Sequence, residues 1–149
     1  MSTVNRLSCG ASGSTSDSTG DDDTGYGAGE AAQPGFFVLT GSAPAAVRLT
    51  DLDWTFVTTG LADAVAAARR HAEAESARAG TDLDVVVMGG GATVASALAT
   101  GLVDELTLHL SPVVLGSGTP LFSAGAPRTL VQRRVVPTST ATHLTYDLR

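Results

Sequence analysis

Three successive glycines separate a short apolar segment from a pattern typical of a helix. The apolar segment, Asp84-Val85-Val86-Val87-Met88, is β-branched at its centre, which predicts a strand covered on both faces. Gly89-Gly90-Gly91 follows, and residues 93–100 (TVASALAT) are predicted to form a helix that stops before Gly101. A strand, a glycine turn and a helix in this order predict an α/β unit.

The glycine turn is a candidate anion site for two physical reasons. Glycine tolerates positive φ and lets backbone N–H groups approach a ligand with no Cβ in between. The start of the next helix carries a partial positive charge of about half an elementary charge, which favours a phosphate. A tight turn or close helix packing explains the glycines equally well. The G-x-G-x-x-G fingerprint is absent, because Val94 stands where its last glycine would be.

The rest of the chain alternates between strand and helix patterns and ends in strands. Strands are predicted at residues 36–40, 54–58, 105–111, 129–136 and 140–148, and a long helix at 61–79. The last two strands are predicted to be an antiparallel pair joined around Pro137. This order predicts a three-layer α/β fold with a mostly parallel sheet and an antiparallel C-terminal edge.

The N-terminal region differs in composition from everything that follows. Residues 9–30 are mostly Gly, Ser, Thr and Asp and contain no large aliphatic residue, which predicts loop or disorder. We therefore divide the chain into a polar flexible segment, residues 1–34, and a compact domain, residues 35–149. Of the net charge of −6, −4 lies in residues 1–35, so the domain is nearly neutral.

Composition excludes several functional classes. The 15 acidic residues outnumber nine basic ones, all arginine, which disfavours binding to nucleic acid. Without lysine there is neither a P-loop nor Schiff-base chemistry. No apolar run approaches the roughly 20 residues of a membrane span, and no signal peptide pattern is present, so a cytoplasmic protein is expected. One cysteine and three scattered histidines have no zinc-ligand spacing, so no metal site is expected.

Three motifs in fixed order carry a family resemblance. They are the GGG after the apolar strand, GLVDE at 101–105, and PVVLGSGTPLF at 112–122. Together, residues 85–122 resemble the dihydrofolate-reductase-like superfamily, in particular the reductase domain that forms the C-terminal part of bacterial bifunctional riboflavin-biosynthesis proteins. The resemblance extends over about residues 20–149.

The resemblance implies an NADPH-dependent reductase of a pyrimidine or pterin-like small molecule, and a homodimer. It places the pyrophosphate of NADPH on Gly89, Gly90, Gly91, Ala92, Thr93 and Val94. It places the adenosine 2′-phosphate near Thr40, Gly41 and Ser42, and the adenine side near Thr58. No catalytic residue is assigned. His109, which alternates with leucines, is expected to face solvent or a subunit interface.

The sequence departs from the family pattern before Phe36. The family begins with a central strand, a loop and helix, and a second strand and helix, and residues 1–8 look too few and too polar to replace the first strand. The N-terminal part of the fold is therefore expected to be truncated, with the strand at 84–88 exposed at one edge or paired with another chain. The alternative to a reductase is a non-catalytic remnant.

Overall fold

A computed structural model describes residues 7–11, 34–47, 52–118, 121–122 and 127–148. In chain order the elements are β1 Leu7–Ala11, β2 Phe36–Leu39, β3 Trp54–Val57, α1 Leu61–Ala79, β4 Val85–Val87, α2 Gly91–Ala99, β5 Glu105–Leu110, β6 Leu130–Pro137 and β7 Thr142–Leu148. The chain divides into a five-stranded unit, residues 1–13 and 72–149, and a two-stranded unit, residues 14–71. The helix α1 begins in the second unit and ends in the first.

The sheet of the five-stranded unit has the order β4-β1-β5-β7-β6. β1 runs parallel to both β4 and β5, whereas β7 runs antiparallel to both β5 and β6. Parallel strands thus form one side of the sheet and a C-terminal hairpin the other. The predicted α/β fold with an antiparallel C-terminal edge is confirmed.

The strand β1 overturns our expectation about the N-terminus. Cys9 is paired with Val87 on one side and with Leu106 on the other, so β1 occupies an interior position in the sheet. The prediction that this region could not replace the first strand, and that it is flexible, was wrong at residues 7–11. Pairing uses backbone N–H and C=O groups, which small residues supply as well as large ones. Residues 1–6 and 12–33 of the predicted flexible segment lie outside the described residues.

The strand β4 is less covered than its apolar sequence predicts. It lies at the edge of the sheet, where its described partner is β1. Val86 and Met88 share one face and are 50% and 45% exposed. The prediction of burial on both faces was wrong, because β-branched residues also favour strands that are only half buried.

The core of the five-stranded unit includes residues of α2, of the GLVDE motif and of β5. Val94, Ala97 and Leu98 follow one face of α2 at helical spacing and are buried. Val103 of the GLVDE motif is buried as well, and Leu106 is completely buried. The alternation predicted along β5 is therefore confirmed at its start, and the strand becomes exposed toward Leu110. The helix α2 begins two residues earlier than predicted because Gly91 joins its first turn.

In the two-stranded unit, β2 and β3 pair in parallel with Phe36 opposite Trp54. The rings of these two residues stack with centroids 4.9 Å apart. Gly35 lies against His71, and a Cβ at Gly35 would come within 2.6 Å of the His71 Nε2 atom, so a side chain there would displace the imidazole. The ring of His71 also contacts Phe37. This histidine is therefore held by packing.

The helix α1 has the predicted bounds, residues 61–79. Its N-terminal turn begins after Gly60, whose φ of +115° favours glycine, and Gly80 with φ of +69° follows its C-terminus. The hydroxyl oxygen of Ser76 accepts a hydrogen bond of 2.9 Å from the Leu83 amide, which fixes the segment leading to β4. No helix in the described part of the chain is long and apolar enough to cross a membrane.

Replacing Leu106 tests the assigned core. Leu106→Ala should lower the free energy of unfolding by about 3 kcal/mol, because it removes a fully buried side chain and leaves a cavity. Val86→Ala is the control on β4 of the same sheet, since Val86 is 50% exposed, and it should cost about 0.5 kcal/mol or less. Urea denaturation followed by circular dichroism measures both. Equal losses would contradict the described packing.

Candidate functional site

The glycine turn lies at the carboxyl end of β4 and opens α2. All three glycines are exposed. Gly90 has φ of +23°, a conformation that residues with side chains rarely adopt, and it is the N-cap of the helix. At Gly89 and Gly91 an ideal Cβ would meet nothing within 4 Å. The described packing therefore does not require glycine at these two positions, and the backbone there is open to approach from outside.

The N-terminus of α2 leaves backbone donors unused. The first bond within the helix runs from the Val94 amide to the Gly90 carbonyl, at 3.1 Å. The N–H groups of Gly91, Ala92 and Thr93 precede that bond and have no partner within the helix. No side chain caps this end, and its first turn contains no acidic residue. The positive end of the helix dipole is thus available to an external anion.

The opposite end of α2 is capped by side chains. The Thr100 hydroxyl lies 3.0 Å from the Ser96 carbonyl oxygen and 3.1 Å from that of Ala97, and can donate to either. The guanidinium of Arg128 donates to the Ala99 carbonyl at 2.9 Å, which places a cation at the negative end of the dipole. Arg128 was not predictable from the sequence, because no local pattern connects it to a helix that ends 29 residues earlier. The C-terminal carbonyls of α2 thus have hydrogen-bond partners, whereas the amides at its N-terminus have no side-chain cap.

The helix α1 provides an internal comparison. It also follows a parallel strand and a glycine, but Asp63 lies in its first turn. A carboxylate at this position already interacts with the positive end of the dipole and would repel a phosphate. Of the two helix N-termini that follow a described strand, α2 alone combines a free positive end with glycine access.

Val94, which is also predicted to contact the pyrophosphate, is engaged within the protein by both its amide and its side chain. The Val94 amide is used within the helix, and its side chain is only 2% exposed. Val94 therefore anchors the first turn of α2 in the core. The other candidates are more accessible, since Gly89 to Ala92 are exposed and Thr93 is half buried.

The second group of predicted residues meets at the carboxyl ends of β2 and β3. Because these strands are parallel and Leu39 is paired with Val57, Thr40 and Thr58 follow at the same edge. The Thr40 amide donates to the Val57 carbonyl at 3.1 Å. The Thr40 hydroxyl donates to the Ser42 carbonyl at 2.9 Å, and its oxygen accepts a longer hydrogen bond of 3.4 Å from the Ser42 amide. Thr40 thus shapes the turn, whereas Gly41, Ser42 and Thr58 are exposed.

The two groups of candidate residues belong to different units of the chain. The glycine turn and α2 lie in the five-stranded unit, and Thr40, Gly41, Ser42 and Thr58 lie in the two-stranded unit. That both groups contact one cofactor stays a prediction.

Comparison with known proteins gives independent evidence about the family. Residues 32–144 match the model of the RibD C-terminal domain. Similar solved structures include a protein of Shewanella sp. PV-4 that bears the name of a riboflavin biosynthesis protein, with 20% identity and a TM-score of 0.62. Another is the diaminohydroxyphosphoribosylaminopyrimidine deaminase/5-amino-6-(5-phosphoribosylamino)uracil reductase of Thermotoga maritima, with 14% identity and a TM-score of 0.53. Form 2 of Acinetobacter baumannii RibD has 14% identity and a TM-score of 0.54. A search of curated proteins found no match.

The extent of each match differs. The alignments cover 97%, 76% and 97% of this chain for the Shewanella, Thermotoga and Acinetobacter proteins, but 74%, 30% and 47% of those proteins. At such low identity the structural likeness shows a shared fold. The family model matches well over half of the chain, and its description agrees with the resemblance seen in the three motifs. This protein therefore belongs to the RibD C-terminal domain family, with its dihydrofolate-reductase-like α/β fold.

Proposed function

We propose that this protein is a cytoplasmic NADPH-dependent reductase of the riboflavin-biosynthesis type, acting on a pyrimidine or pterin-like small molecule. Membership of the RibD C-terminal domain family supports the reaction class. The name of the Thermotoga relative, which includes a uracil reductase, is consistent with a pyrimidine substrate. The observation that carries the proposal is the uncapped N-terminus of α2 beside an exposed glycine turn.

The donors at this turn fit a pyrophosphate. The N–H groups of Gly91, Ala92 and Thr93 precede the first hydrogen bond of α2, so they can donate to phosphate oxygens without breaking the helix. Hydrogen bonds to a charged acceptor contribute about 1.5 to 3 kcal/mol each, more than bonds between neutral groups. The open space at Gly89 and Gly91 allows the phosphate oxygens to come close to the backbone.

The turn after β2 supports the choice of NADPH over NADH. A 2′-phosphate needs hydrogen-bond donors, and the exposed backbone amide of Gly41 and the exposed hydroxyl of Ser42 can provide them, whereas the Ser42 amide already donates to the Thr40 hydroxyl oxygen. Thr58 follows the neighbouring parallel strand, and the family resemblance places it on the adenine side. The Thr40 hydroxyl is used in the turn and would act by holding Gly41 in place.

The residues assigned here would bind and orient the cofactor. When bound, NADPH supplies a hydride from nicotinamide C4 to the substrate. The amides at the α2 N-terminus would fix the pyrophosphate, and the C-terminal contacts of Thr100 and Arg128 would keep the helix in place as charge is bound at its other end. Their contribution to the rate would be positioning rather than proton transfer.

A negative charge at position 93 should have opposite effects on the stability of the protein and on its affinity for NADPH. Thr93→Asp puts a carboxylate at the third residue of α2, the position that Asp63 has in α1. It should stabilise the helix by about 0.5 kcal/mol through the dipole. It should also weaken NADPH binding by tenfold or more, because like charges a few ångströms apart near a protein surface repel by about 1 to 4 kcal/mol. Fluorescence titration with NADPH and thermal unfolding measure the two effects.

The neutral variant Thr93→Asn is the matched control and should keep NADPH affinity within about twofold, because it adds no charge. Ser96→Val, on the same helix beyond its first turn, should have no effect on binding. Absence of saturable NADPH binding by the unmodified protein would refute the proposal. NADPH binding without reduction of a pyrimidine substrate would favour the non-catalytic alternative.

We also propose that the protein is a homodimer. Five large apolar side chains between residues 110 and 122 are each more than half exposed: Leu110, Val113, Val114, Leu115 and Phe122. So many exposed apolar residues within one short segment are typical of a surface that another protein covers. Because the segment belongs to the motif that carries the family resemblance, a second copy of this chain is the simplest partner.

Sedimentation equilibrium tests the dimer. The chain of 15.0 kDa should sediment with twice that mass, and Val114→Asp should give the monomer mass, because a charge at the 96% exposed Val114 would be buried without a partner in the interface. Ser139→Asp, at an exposed polar position outside this segment, should leave the dimer intact. A monomer mass for the unmodified protein at micromolar concentrations would contradict this proposal.

A further inference from the structure

Two histidines that are distant in sequence lie side by side in the sheet. His109 of β5 and His143 of β7 are opposite each other in the antiparallel register. Their Nδ1 atoms are 2.5 Å apart, and their rings meet edge to face with centroids 4.7 Å apart. His109 is exposed and His143 is half buried, so the pair is accessible from solvent.

The facing Nδ1 atoms define the chemistry of this pair. A neutral imidazole has one N–H and one nitrogen lone pair. With the protons of both rings on Nε2, two lone pairs point into the same space. Without a bound ion, one ring must instead donate its Nδ1–H to the other, so a single proton lies between the two nitrogens. A cation that accepts both lone pairs can replace this proton.

We propose that His109 and His143 form a two-imidazole binding site for a divalent late-transition-metal ion such as Zn²⁺. Imidazole nitrogen suits zinc, copper and nickel, whereas calcium and magnesium prefer oxygen ligands. Zinc lies about 2.0 to 2.1 Å from imidazole nitrogen, so tetrahedral coordination needs the two nitrogens about 3.3 Å apart. The observed separation is 2.5 Å, so metal binding requires the two Nδ1 atoms to move about 0.8 Å further apart and both rings to turn until their lone pairs converge on the ion.

The backbone of the sheet fixes both ligands. β7 is paired on both sides, with β5 and with β6, so the Cα of His143 is held on both edges. Six consecutive pairs join β5 to β7, from Glu105 and Asp147 to Leu110 and Thr142. The position opposite His143 on β6 is Val136, an uncharged residue that does not compete for the ligands. Because the backbone is already fixed, metal binding costs conformational entropy only in the side chains of His109 and His143.

The site provides two protein ligands. No group of three or more His, Cys, Asp or Glu suited to a metal occurs among the residues that the structure describes. The other coordination positions of the ion are therefore assigned to water. Such a site binds metal reversibly, and it is independent of the proposed NADPH binding because it uses neither α2 nor the turn after β2.

Calorimetric titration of the full chain with ZnCl₂ tests the proposal. The unmodified protein should bind one ion per chain saturably. His109→Gln and His143→Gln should each weaken binding by tenfold or more, since loss of even an outer partner costs a metal site about that much. The double variant should bind no more weakly than either single variant, because one imidazole alone cannot chelate. His71→Gln is the control, and it should leave zinc affinity unchanged, since His71 is packed against Phe37 and Gly35.

Nitrogen NMR of the unmodified protein gives a second measurement that does not depend on how the variants fold. Zinc should shift the Nδ1 resonances of His109 and His143 together and leave those of His71 in place. Three outcomes would overturn the proposal: no saturable binding, equal loss in the His71 variant, or independent additive effects of the His109 and His143 substitutions. Unchanged Nδ1 resonances at saturating zinc would do the same.

Discussion

The backbone hydrogen bonds of β1 hold the five-stranded sheet together. β1 stands between β4 and β5, and it is the described connection between the glycine-bearing strand and the C-terminal hairpin. Without these bonds, β4 and α2 would be joined to β5 only through the connection at residues 100–104 and the packing of α2. The side chains of an inner strand usually contribute to this role, yet the sequence Leu7–Ala11 consists mostly of small residues. A strand of five residues with mostly small side chains is enough, because strand pairing uses the backbone N–H and C=O groups that every residue except proline carries.

The chemistry proposed for this protein depends on the unequal ends of one short helix. The buried face of α2, formed by Val94, Ala97 and Leu98, anchors the helix in the core of its unit. Its C-terminus receives hydrogen bonds from Thr100 and Arg128, so the negative end of the dipole is compensated within the protein. Its N-terminus receives nothing comparable, and the chain there consists of residues with small side chains or none. A helix that is anchored on one face and capped at one end can hold an anion at the other with little loss of conformational freedom.

Much of the fold follows from local patterns. The helix at 61–79, the parallel strands and the C-terminal antiparallel pair were predictable because periodicity and glycine positions reflect burial that each segment needs by itself. The strand at residues 7–11 was not, because its pairing partners are far away in sequence and its composition is that of a loop. The exposure of Val86 and Met88 was not predicted for a related reason, since an apolar strand sequence does not reveal whether a layer covers each of its faces. Within the candidate site, the glycines and the start of α2 were predictable, whereas the capping of the far end by Arg128 and the turn made by Thr40 depend on side-chain contacts.

The sequence by itself determined the α/β class, the family motifs and the glycine turn, because each is encoded in neighbouring residues. The tertiary structure decided which distant residues meet. His109 and His143 are 34 residues apart, and neither is part of a recognisable ligand motif. Only the register between β5 and β7 places them opposite each other, and a shift of one residue would move one ring to the other face of the sheet. Register depends on the packing of Leu106 and its neighbours in the core, which is a property of the whole unit rather than of either strand.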